Sequence, residues 1–197
     1  MRLRCLSILL YLGITGFSQR TIEGDGSDYR ESRTVPSFNK IGLSCQAEVI
    51  LVKGNSPGVR IEGEKNIVDK LITEVGDNEL KIYFPLFRNF RSTKPLRVWV
   101  TTSDIQGIWN SGSGSIHSAD VFSGESVSFH LSGSGRIELG VKAEQMSVSV
   151  SGSGSVNLTT DGVIEGRISG SGNINYKGNP SSVDVHHSGS GRARKVA

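Results

Sequence analysis

A row of polar residues recurs at one position of a repeated motif and could carry chemistry. Each member lies six residues after the first serine of an SGSG motif, and the row is His117, Glu138, Asn157, Asn175 and Arg194. If the repeats stack, His117 lies beside Glu138, and such a pair could act as general acid and base on a glycan. Alternating strands always present polar rows to water, however, so a solvated surface is the favoured interpretation.

A segment rich in aromatic and basic residues is the second candidate for ligand contact. In YFPLFRNFRSTKPLR, residues 83–97, phenylalanines are interleaved with arginine and lysine. Aromatic rings can stack on sugars or bases, and cations can hold anionic groups. The residues that would contact an acidic glycan or lipopolysaccharide are Arg88, Phe90, Arg91 and Lys94. The competing interpretation is a long loop whose aromatic rings cover the flank of the fold while its charges stay in water.

Several patterns that mark enzymes and metal sites are absent from the sequence. SGSG cannot supply the G-x-S-x-G nucleophile elbow, because glycine occupies the central position. The Gly-Lys-Ser/Thr ending of a P-loop does not occur. The residues that follow the motifs are Ser, Arg, Ser, Asn and Arg rather than a regular aspartate, which argues against calcium-binding β-roll repeats. The four histidines lack metal-ligand spacing, so we expect no metal, no cofactor and no catalytic activity.

The SGSG motif predicts the architecture that must position these side chains. It begins at Ser111, Ser132, Ser151, Ser169 and Ser188, so that successive copies are 21, 19, 18 and 19 residues apart. A flexible linker would not keep a fixed period, whereas stacked structural repeats do. Apolar residues fill most of the positions one before and five after the first serine, and polar residues alternate with them. Each repeat is therefore predicted to be a half-buried strand, a turn and a second half-buried strand.

These features predict an all-β fold, a parallel β-helix or β-solenoid with coils of 18–21 residues and SGSG corners. Successive coils would lie ~4.8 Å apart, the ordinary strand spacing. A corner repeated at one position needs a backbone with positive φ or a very close approach between coils, and glycine allows both. The corner glycines are Gly112, Gly114, Gly133, Gly135, Gly152, Gly154, Gly170, Gly172, Gly189 and Gly191.

The chain divides into three segments. Residues 1–18 have the parts of a secretory signal peptide: two arginines, an apolar stretch, and small residues before a cleavage site after Ser18. The apolar stretch is shorter than the ~20 residues that cross a bilayer, so we expect cleavage and no membrane span in the mature chain. Residues 19–34 are polar and lack periodicity, which predicts a flexible N-terminal segment. Residues 35–197 are predicted to form a single solenoid domain.

Removal of the signal peptide changes what charge and cysteine content imply. Two of the 22 basic residues, Arg2 and Arg4, lie in the signal peptide, which leaves 20 against 19 acidic residues. A net charge near +1 gives no reason to expect a nucleic-acid partner. Cys45 becomes the only cysteine, which excludes an intramolecular disulfide and favours a buried, apolar role.

The strands before the first SGSG motif allow two arrangements. Val59–Ile61, Leu80–Ile82 and Val98–Val100 are also roughly twenty residues apart, so they could form further coils. A separate antiparallel sheet is the competing arrangement. Polar residues enter the apolar columns at the first and last repeats, at Asn110 and His187, and we expect them to cap the ends of the solenoid.

The order of several segments is distinctive, although no single one is. They are FNKIGLSCQAEVILVKG, VRIEGEKNIVDKLITEV, NELKIYF, LRVWV and the SGSG-x-[IV] units at 111, 132, 151 and 169. In this order, from about Val35 to the C-terminus, the chain resembles the family described as putative auto-transporter adhesin, head GIN domain, which is frequent in Bacteroidota. The resemblance implies a right-handed parallel β-helix-like domain that is exported and often displayed at the cell envelope. It supplies no catalytic residues.

The sequence therefore predicts an exported, non-catalytic module with an adhesive or structural role, located in the periplasm, at the cell surface or outside the cell. Its partner would be a glycan or another envelope component that contacts ladders of equivalent side chains. The alternative is a carbohydrate-active enzyme or glycan-binding protein that uses an exposed solenoid row. A further hypothesis is self-association through poorly capped solenoid ends.

Overall fold

The computed structural model describes residues 20–85 and 88–197. The signal peptide predicted for residues 1–18 lies outside this part of the chain. The fold is all-β, as predicted, with 65% strand and 2% helix. Strands therefore carry almost all of the packing between residues that are distant in the sequence.

Seventeen strands and one short helix are present in the described chain. The elements before the first SGSG motif are β1 (Arg20–Glu23), β2 (Tyr29–Thr34), β3 (Lys40–Leu43), β4 (Glu48–Lys53), β5 (Gly58–Gly63), α1 (Lys65–Val68), β6 (Ile72–Gly76), β7 (Glu79–Tyr83), β8 (Arg88–Arg91), β9 (Arg97–Thr102) and β10 (Gly107–Asn110). The remaining elements are β11 (Ser115–Gly133), β12 (Arg136–Gly152), β13 (Ser155–Thr159), β14 (Val163–Gly170), β15 (Asn173–Lys177), β16 (Ser182–Gly189) and β17 (Ala193–Lys195).

The SGSG repeats stack in parallel and form a β-solenoid of about five turns, which confirms the predicted fold. β11 and β12 are long enough to run along more than one side of the solenoid. Strand pairing keeps the motifs in register, with Ser132 opposite Ser151 and Ser151 opposite Ser169. Because successive copies occupy the same position on successive turns, side chains at one repeat position form a ladder.

The solenoid has two main faces, which differ in their place relative to the corner. The front face holds the strands that follow the corner, in the spatial order β9, β4, the first residues of β11 and of β12, β13, β15 and β17. The back face holds the strands that precede it, in the order β7, β3, β10, the last residues of β11 and of β12, β14 and β16. Alternate residues of each face point into the core.

The predicted apolar columns fill the interior. On the front face, Ile116, Ile137, Val156 and Ile174 are fully buried on successive turns. Back-face columns are buried in the same way; they include Phe129 and Val148, and Leu131, Val150 and Ile168. Burial of these stacked side chains is the main stabilising contribution, because one repeat alone could not bury its apolar face.

The two glycines of a corner meet different requirements. The first adopts a left-handed backbone in the second to fifth corners, with φ = 120° at Gly133, a conformation that favours glycine. The second approaches the preceding turn so closely that a Cβ on Gly135 would lie 2.5 Å from the carbonyl oxygen of Gly114. Backbone hydrogen bonds join these corners, for example from Arg136 N to Gly114 O at 3.1 Å. The corners are therefore a hydrogen-bonded stack and not a flexible linker.

The strands before the first SGSG motif extend the same stack, but out of sequence order. β3 and β4 pair in parallel with β10 and β11, and β7 and β9 pair in parallel with the outer side of β3 and β4. Val59–Ile61 lies in β5, which pairs antiparallel with β9 and so is not a further coil. The antiparallel strands belong to the same sheet as the parallel coils and border them, so they do not form the separate antiparallel sheet that was the competing arrangement.

Asn110 does not cap the solenoid, which corrects one expectation. The turn formed by β3 and β4 precedes the first SGSG corner, so Asn110 lies inside the stack between Leu43 and Leu131. Its side chain is buried, donates from Nδ2 to Gly114 O at 2.8 Å and accepts from Gly112 N at 3.2 Å. Asn110 therefore stabilises the first corner from within.

The predicted flexible segment, residues 19–34, contains two strands, so that prediction was wrong for them. β1 pairs in parallel with β8 in a two-stranded sheet, and β2 pairs antiparallel with β5 at the border of the main sheet. The alternate residues of β2 are half buried although they are polar. Arg33, for example, donates hydrogen bonds to the carbonyl oxygens of Leu71 and Val68. Inward side chains of β2 such as this one are held by hydrogen bonds and are not apolar. The strand therefore lacks the alternation of apolar and polar residues by which a half-buried strand is predicted from sequence.

The two ends of the solenoid are closed to different extents. At the amino-terminal end, the chain passes from β5, beside the front face, through α1 to β6, beside the back face, and Ile67 and Val68 of α1 are fully buried. At the carboxyl-terminal end, β16 and β17 are the last described strands of the stack. Val183 of β16 is 37% exposed, whereas its neighbour Ile164 on the preceding turn is fully buried. His187 is exposed there.

Candidate ligand-binding groove

The polar row identified in the repeats forms a ladder on the front face. His117 lies opposite Glu138, Glu138 opposite Asn157, Asn157 opposite Asn175, and Asn175 opposite Arg194. These positions follow directly after the buried front-face column, so their side chains point outward. The parallel register thus brings together five side chains from five successive repeats.

Hydrogen bonds connect the carboxyl-terminal half of this row. Arg194 donates from Nε to Oδ1 of Asn175 at 2.9 Å, and Asn175 donates from Nδ2 to Oδ1 of Asn157 at 2.7 Å. Because both amide oxygens accept from a neighbour, the orientation of each amide is set, and Nδ2 of Asn157 keeps its donors for another partner. We call Asn157, Asn175 and Arg194 the amide ladder.

A groove of about 430 Å³ lies along the amide ladder. Apolar atoms from Leu139 and Leu158 contribute to its lining. Polar and charged residues from five successive turns contribute the rest, among them Asp120, Glu138, Asn157, Asn175, Lys177 and Arg194. A concave site with apolar surface and several convergent polar groups has the features of a small-ligand or oligomer subsite.

His117 and Glu138 are neighbours by register, but His117 contacts a different carboxylate. Its Nε2 lies 3.9 Å from Oε1 of Glu48, and the other carboxylate oxygen of Glu48, Oε2, accepts a hydrogen bond from Nε of Arg97 at 2.9 Å. Within residues 20–85 and 88–197, Glu138 forms no ion pair. His117 and Glu138 also line a second depression of about 430 Å³, together with Glu48 and Arg136. A polar row exposed to water is the ordinary arrangement on the outer face of a strand.

Two aromatic side chains of the segment 83–97, Phe84 and Phe90, pack inward. Phe90 is half buried and packs against Phe84, with ring centroids 4.6 Å apart and ring planes tilted by 46°, and both rings pack against the hydrophobic core. Phe87 and the side chain of Arg88 lie outside the described residues. The arrangement of Phe84 and Phe90 matches the competing interpretation, in which aromatic rings cover the flank of the solenoid.

Two basic side chains of that segment, Arg91 and Lys94, face acidic residues of the same chain. Nζ of Lys94 lies 2.8 Å from Oδ1 of Asp28, and the guanidinium of Arg91 lies 4.0 Å from Oε1 of Glu23. The segment is attached to the amino-terminal part of the fold, because β8 pairs with β1. Arg91 therefore lies in a different sheet from His117 and Glu138.

A buried carboxylate, Glu64, holds the loop that follows β8. It accepts hydrogen bonds from the hydroxyls of Ser92 and Thr93 and from the backbone N–H groups of Thr93 and Gly26. These bonds, with that from Ser92 the strongest, lower the pKa of the Glu64 carboxyl from 4.5 to about 2, against the opposing effect of desolvation. No local pattern in the sequence indicates a role for Glu64, because its hydrogen-bond partners are distant along the chain.

Two further contacts of surface aromatic side chains were not predicted from the sequence. Trp109 and His130 stack on adjacent turns of the back face, with centroids 5.6 Å apart and planes 7° apart. On the front face, the guanidinium of Arg60 lies 4.3 Å from the ring centroid of Trp99. The contact between Trp109 and His130 could have been predicted, because each of these residues lies two positions before the first serine of its SGSG motif and equivalent positions stack.

The described part of the chain contains neither a cluster of metal-ligating side chains nor a reactive thiol. In it, no group of three or more His, Cys, Asp and Glu residues could hold a metal ion. Cys45 is free and buried, and burial raises the pKa of its thiol to about 12, so it is not a reactive thiolate.

The described ranges contain no helix whose length and apolar character would let it cross a membrane.

Several solved structures share this fold. A crystal structure described as a putative adhesin from Bacteroides fragilis is 19% identical, with a TM-score of 0.64 and coverage of 89% of this chain and 100% of that one. One described as a putative lipid binding protein from Parabacteroides distasonis is 20% identical, with a TM-score of 0.65 and coverage of 90% and 100%. A putative adhesin from Parabacteroides merdae is 17% identical, with a TM-score of 0.56 and coverage of 90% and 99%. No curated protein matches the sequence.

A family model matches residues 37–195, from before β3 to the end of β17. The match includes every SGSG corner and all the groove residues except Val196. Two of these neighbours of known structure are described as putative adhesins and one as a putative lipid binding protein. The resemblance seen in the sequence is thus confirmed, and the chain belongs to the family "Putative auto-transporter adhesin, head GIN domain".

Proposed function

We propose that this chain is an exported, non-catalytic module with an adhesin-like role at the cell envelope, and that its front-face groove contacts a glycan. The observation that carries the proposal is the amide ladder with the groove beside it. Amides, carboxylates and a guanidinium supply both donors and acceptors to sugar hydroxyls. The fold family supports the adhesin-like role, and the groove supports the class of partner.

The ladder suits a repeating ligand better than a single small molecule. Equivalent side chains recur on successive turns, about one strand spacing (~4.8 Å) apart, so a polymer lying along the solenoid axis meets similar groups repeatedly. Each contact is weak and exposed to water, and several contacts on one polymer add through effective concentration. An adhesive module can therefore bind firmly without a deep pocket.

The test replaces the two ladder amides and measures glycan binding. Asn157→Ala combined with Asn175→Ala should weaken binding of the full chain on a glycan array, and to purified envelope polysaccharide, by about tenfold, which is about 1.4 kcal/mol. The matched control is Ser147→Ala with Ser149→Ala, two small outward positions on the back face. Equal binding by the ladder variant and wild type would contradict the proposal.

Catalysis by the exposed row is tested separately. We expect no release of reducing ends from any arrayed glycan, and no difference between wild type and the His117→Ala, Glu138→Ala double variant. His117 faces the carboxylate of Glu48, and Glu138 is exposed to solvent. Glycan cleavage that the double variant loses would establish the enzyme in place of the non-catalytic module.

Export through residues 1–18 belongs to the same proposal. Its support is the order of basic, apolar and small residues in that segment. Fractionation of cells that express the full chain should place the processed protein in the envelope or outside the cell. Full-length, unprocessed protein in the cytoplasm would contradict this part of the proposal and leave the groove unaffected.

A further inference from the structure

Charge is distributed unevenly along the groove. Asp120 and Glu138, on the turns nearer the amino-terminal end, supply carboxylates, whereas Lys177 and Arg194, on the last two turns, supply cations. The neutral amides of Asn157 and Asn175 lie between them. A ligand that matches this lining carries its negative charge at one end and hydroxyl groups along the rest.

The cations at the carboxyl-terminal end of the groove are available to a ligand. In the described part of the chain, neither Lys177 nor Arg194 lies within 4.0 Å of a carboxylate. Arg194 uses Nε to bond Asn175, which holds the guanidinium against the ladder and leaves its terminal nitrogens as donors. Arg91 and Lys94, in contrast, already face carboxylates of the same chain.

We infer that the groove takes an acidic glycan in one orientation, with the carboxylate or sulfate of one sugar unit at Lys177 and Arg194. Neighbouring units then extend over Asn175 and Asn157 toward Glu138, whose carboxylate accepts sugar hydroxyls. This inference rests on the proposed function and names its ligand class. Hydrogen bonds between ionised groups are stronger than neutral ones, so the acidic unit determines both affinity and direction.

The same charge distribution disfavours two other sources of negative charge. A uniformly anionic strand such as nucleic acid would place its charges against Asp120 and Glu138, where like charges repel. An anionic bilayer could contact Lys177 and Arg194 but offers no chain of hydroxyls to the amides inside the groove. Both sources are included as arms of the test.

The experiment compares two oligosaccharides that differ by one acidic unit. A xylo-oligosaccharide with one glucuronic acid substituent, and the unsubstituted oligosaccharide, are titrated into the full chain by calorimetry. We expect the acidic form to bind about tenfold more tightly at low salt, and the preference to fall as salt rises. Lys177→Gln with Arg194→Gln should remove the preference, so that the two oligosaccharides bind with the same affinity.

Two control variants locate the effect. Lys142→Gln with Arg167→Gln removes two exposed cations outside the groove and should leave the preference intact. Arg91→Gln with Lys94→Gln should also leave it intact. Loss of the preference in either control, or its survival in the groove variant, would overturn the inference.

The remaining outcomes separate this inference from the proposed function. If wild type binds both oligosaccharides equally, and the Asn157→Ala, Asn175→Ala variant binds neither, the acidic preference is wrong and the glycan groove stands. If neither oligosaccharide binds, but vesicles containing anionic phospholipid or single-stranded DNA bind through Lys177 and Arg194, the acidic glycan is overturned as the ligand.

Discussion

The amino-terminal and carboxyl-terminal ends of the solenoid differ in how they cover the apolar core. At the amino-terminal end, β2 and β5 border the front face, β6 borders the back face, and α1 connects them across the core. At the carboxyl-terminal end, β16 and β17 repeat the ordinary coil, with mostly exposed side chains. One end is a dedicated cap, and the other is a further turn with polar residues in apolar positions.

The difference teaches where stability and binding are located. The amino-terminal end buries apolar side chains from outside the repeat, and Glu64 ties two loops to it. The carboxyl-terminal end leaves cations and amides exposed on the front face, where the groove lies. A solenoid needs a closed end to protect its core. Its other end can then present side chains that contribute little to packing.

The largest expected effect comes from matched truncations at the two ends. Ile67→Ala should lower the free energy of unfolding by roughly 2–5 kcal/mol, because Ile67 is fully buried under the cap. Val183→Ala should lower it by less than about 1 kcal/mol, because Val183 is already partly exposed. Urea unfolding followed by circular dichroism measures both values. Similar losses at the two ends would contradict the comparison.

Acid should loosen the amino-terminal end selectively. The pKa of Glu64 is about 2 in the folded chain and near 4.5 when unperturbed, so its contribution to stability is full above pH 4.5 and is lost as the pH falls toward 2. Hydrogen exchange of residues 24–27 and 92–94 should rise over this interval, while residues 168–176 change little. Glu64→Gln should flatten the dependence. An unchanged acid profile in that variant would exclude Glu64 as the cause.

The smallest expected effect is weak self-association through the carboxyl-terminal end. β16 is an edge strand with exposed Val183, which can pair with a second copy, but Arg194 and Lys195 of β17 oppose a close approach. Sedimentation should show dimers only at high concentration, and Val183→Lys should reduce them. The matched control is Ser182→Lys on the same strand. If the sedimenting species has the mass of a monomer at every concentration, the proposed contact between copies is wrong.

Much of the solenoid was predictable because its information is local and repeated. The position of Ile137 within its repeat predicts that it is buried, and the position of Glu138 predicts that it points outward, whatever lies elsewhere in the chain. The polar row was likewise predictable as a row. Its hydrogen bonds from Arg194 to Asn175 to Asn157 were not, because they depend on side-chain reach between turns.

The amino-terminal part was less predictable because its partners are distant and do not repeat. The strand signal of Val59–Ile61 was visible, but an antiparallel partner in β9 was only one of two alternatives. Phe90 and Lys94 had the composition of a contact surface, and only the fold showed that one packs on Phe84 and the other faces Asp28. The sequence shows which chemical groups a segment contains. Whether those groups are accessible to a ligand depends on the residues that pack around them in the fold.

By itself, the sequence determined the parallel solenoid, the SGSG corners and the residues that share each ladder, because a fixed period specifies which positions stack. Only the tertiary structure decided that β7 and β9 stack outside β3 and β4, that Asn110 lies within the stack, and that Glu64 holds two loops together. These features arise where the chain leaves the repeat and returns. The segments that pair at these places are determined by loop closure and by packing across the whole fold. A local sequence pattern contains no information about either.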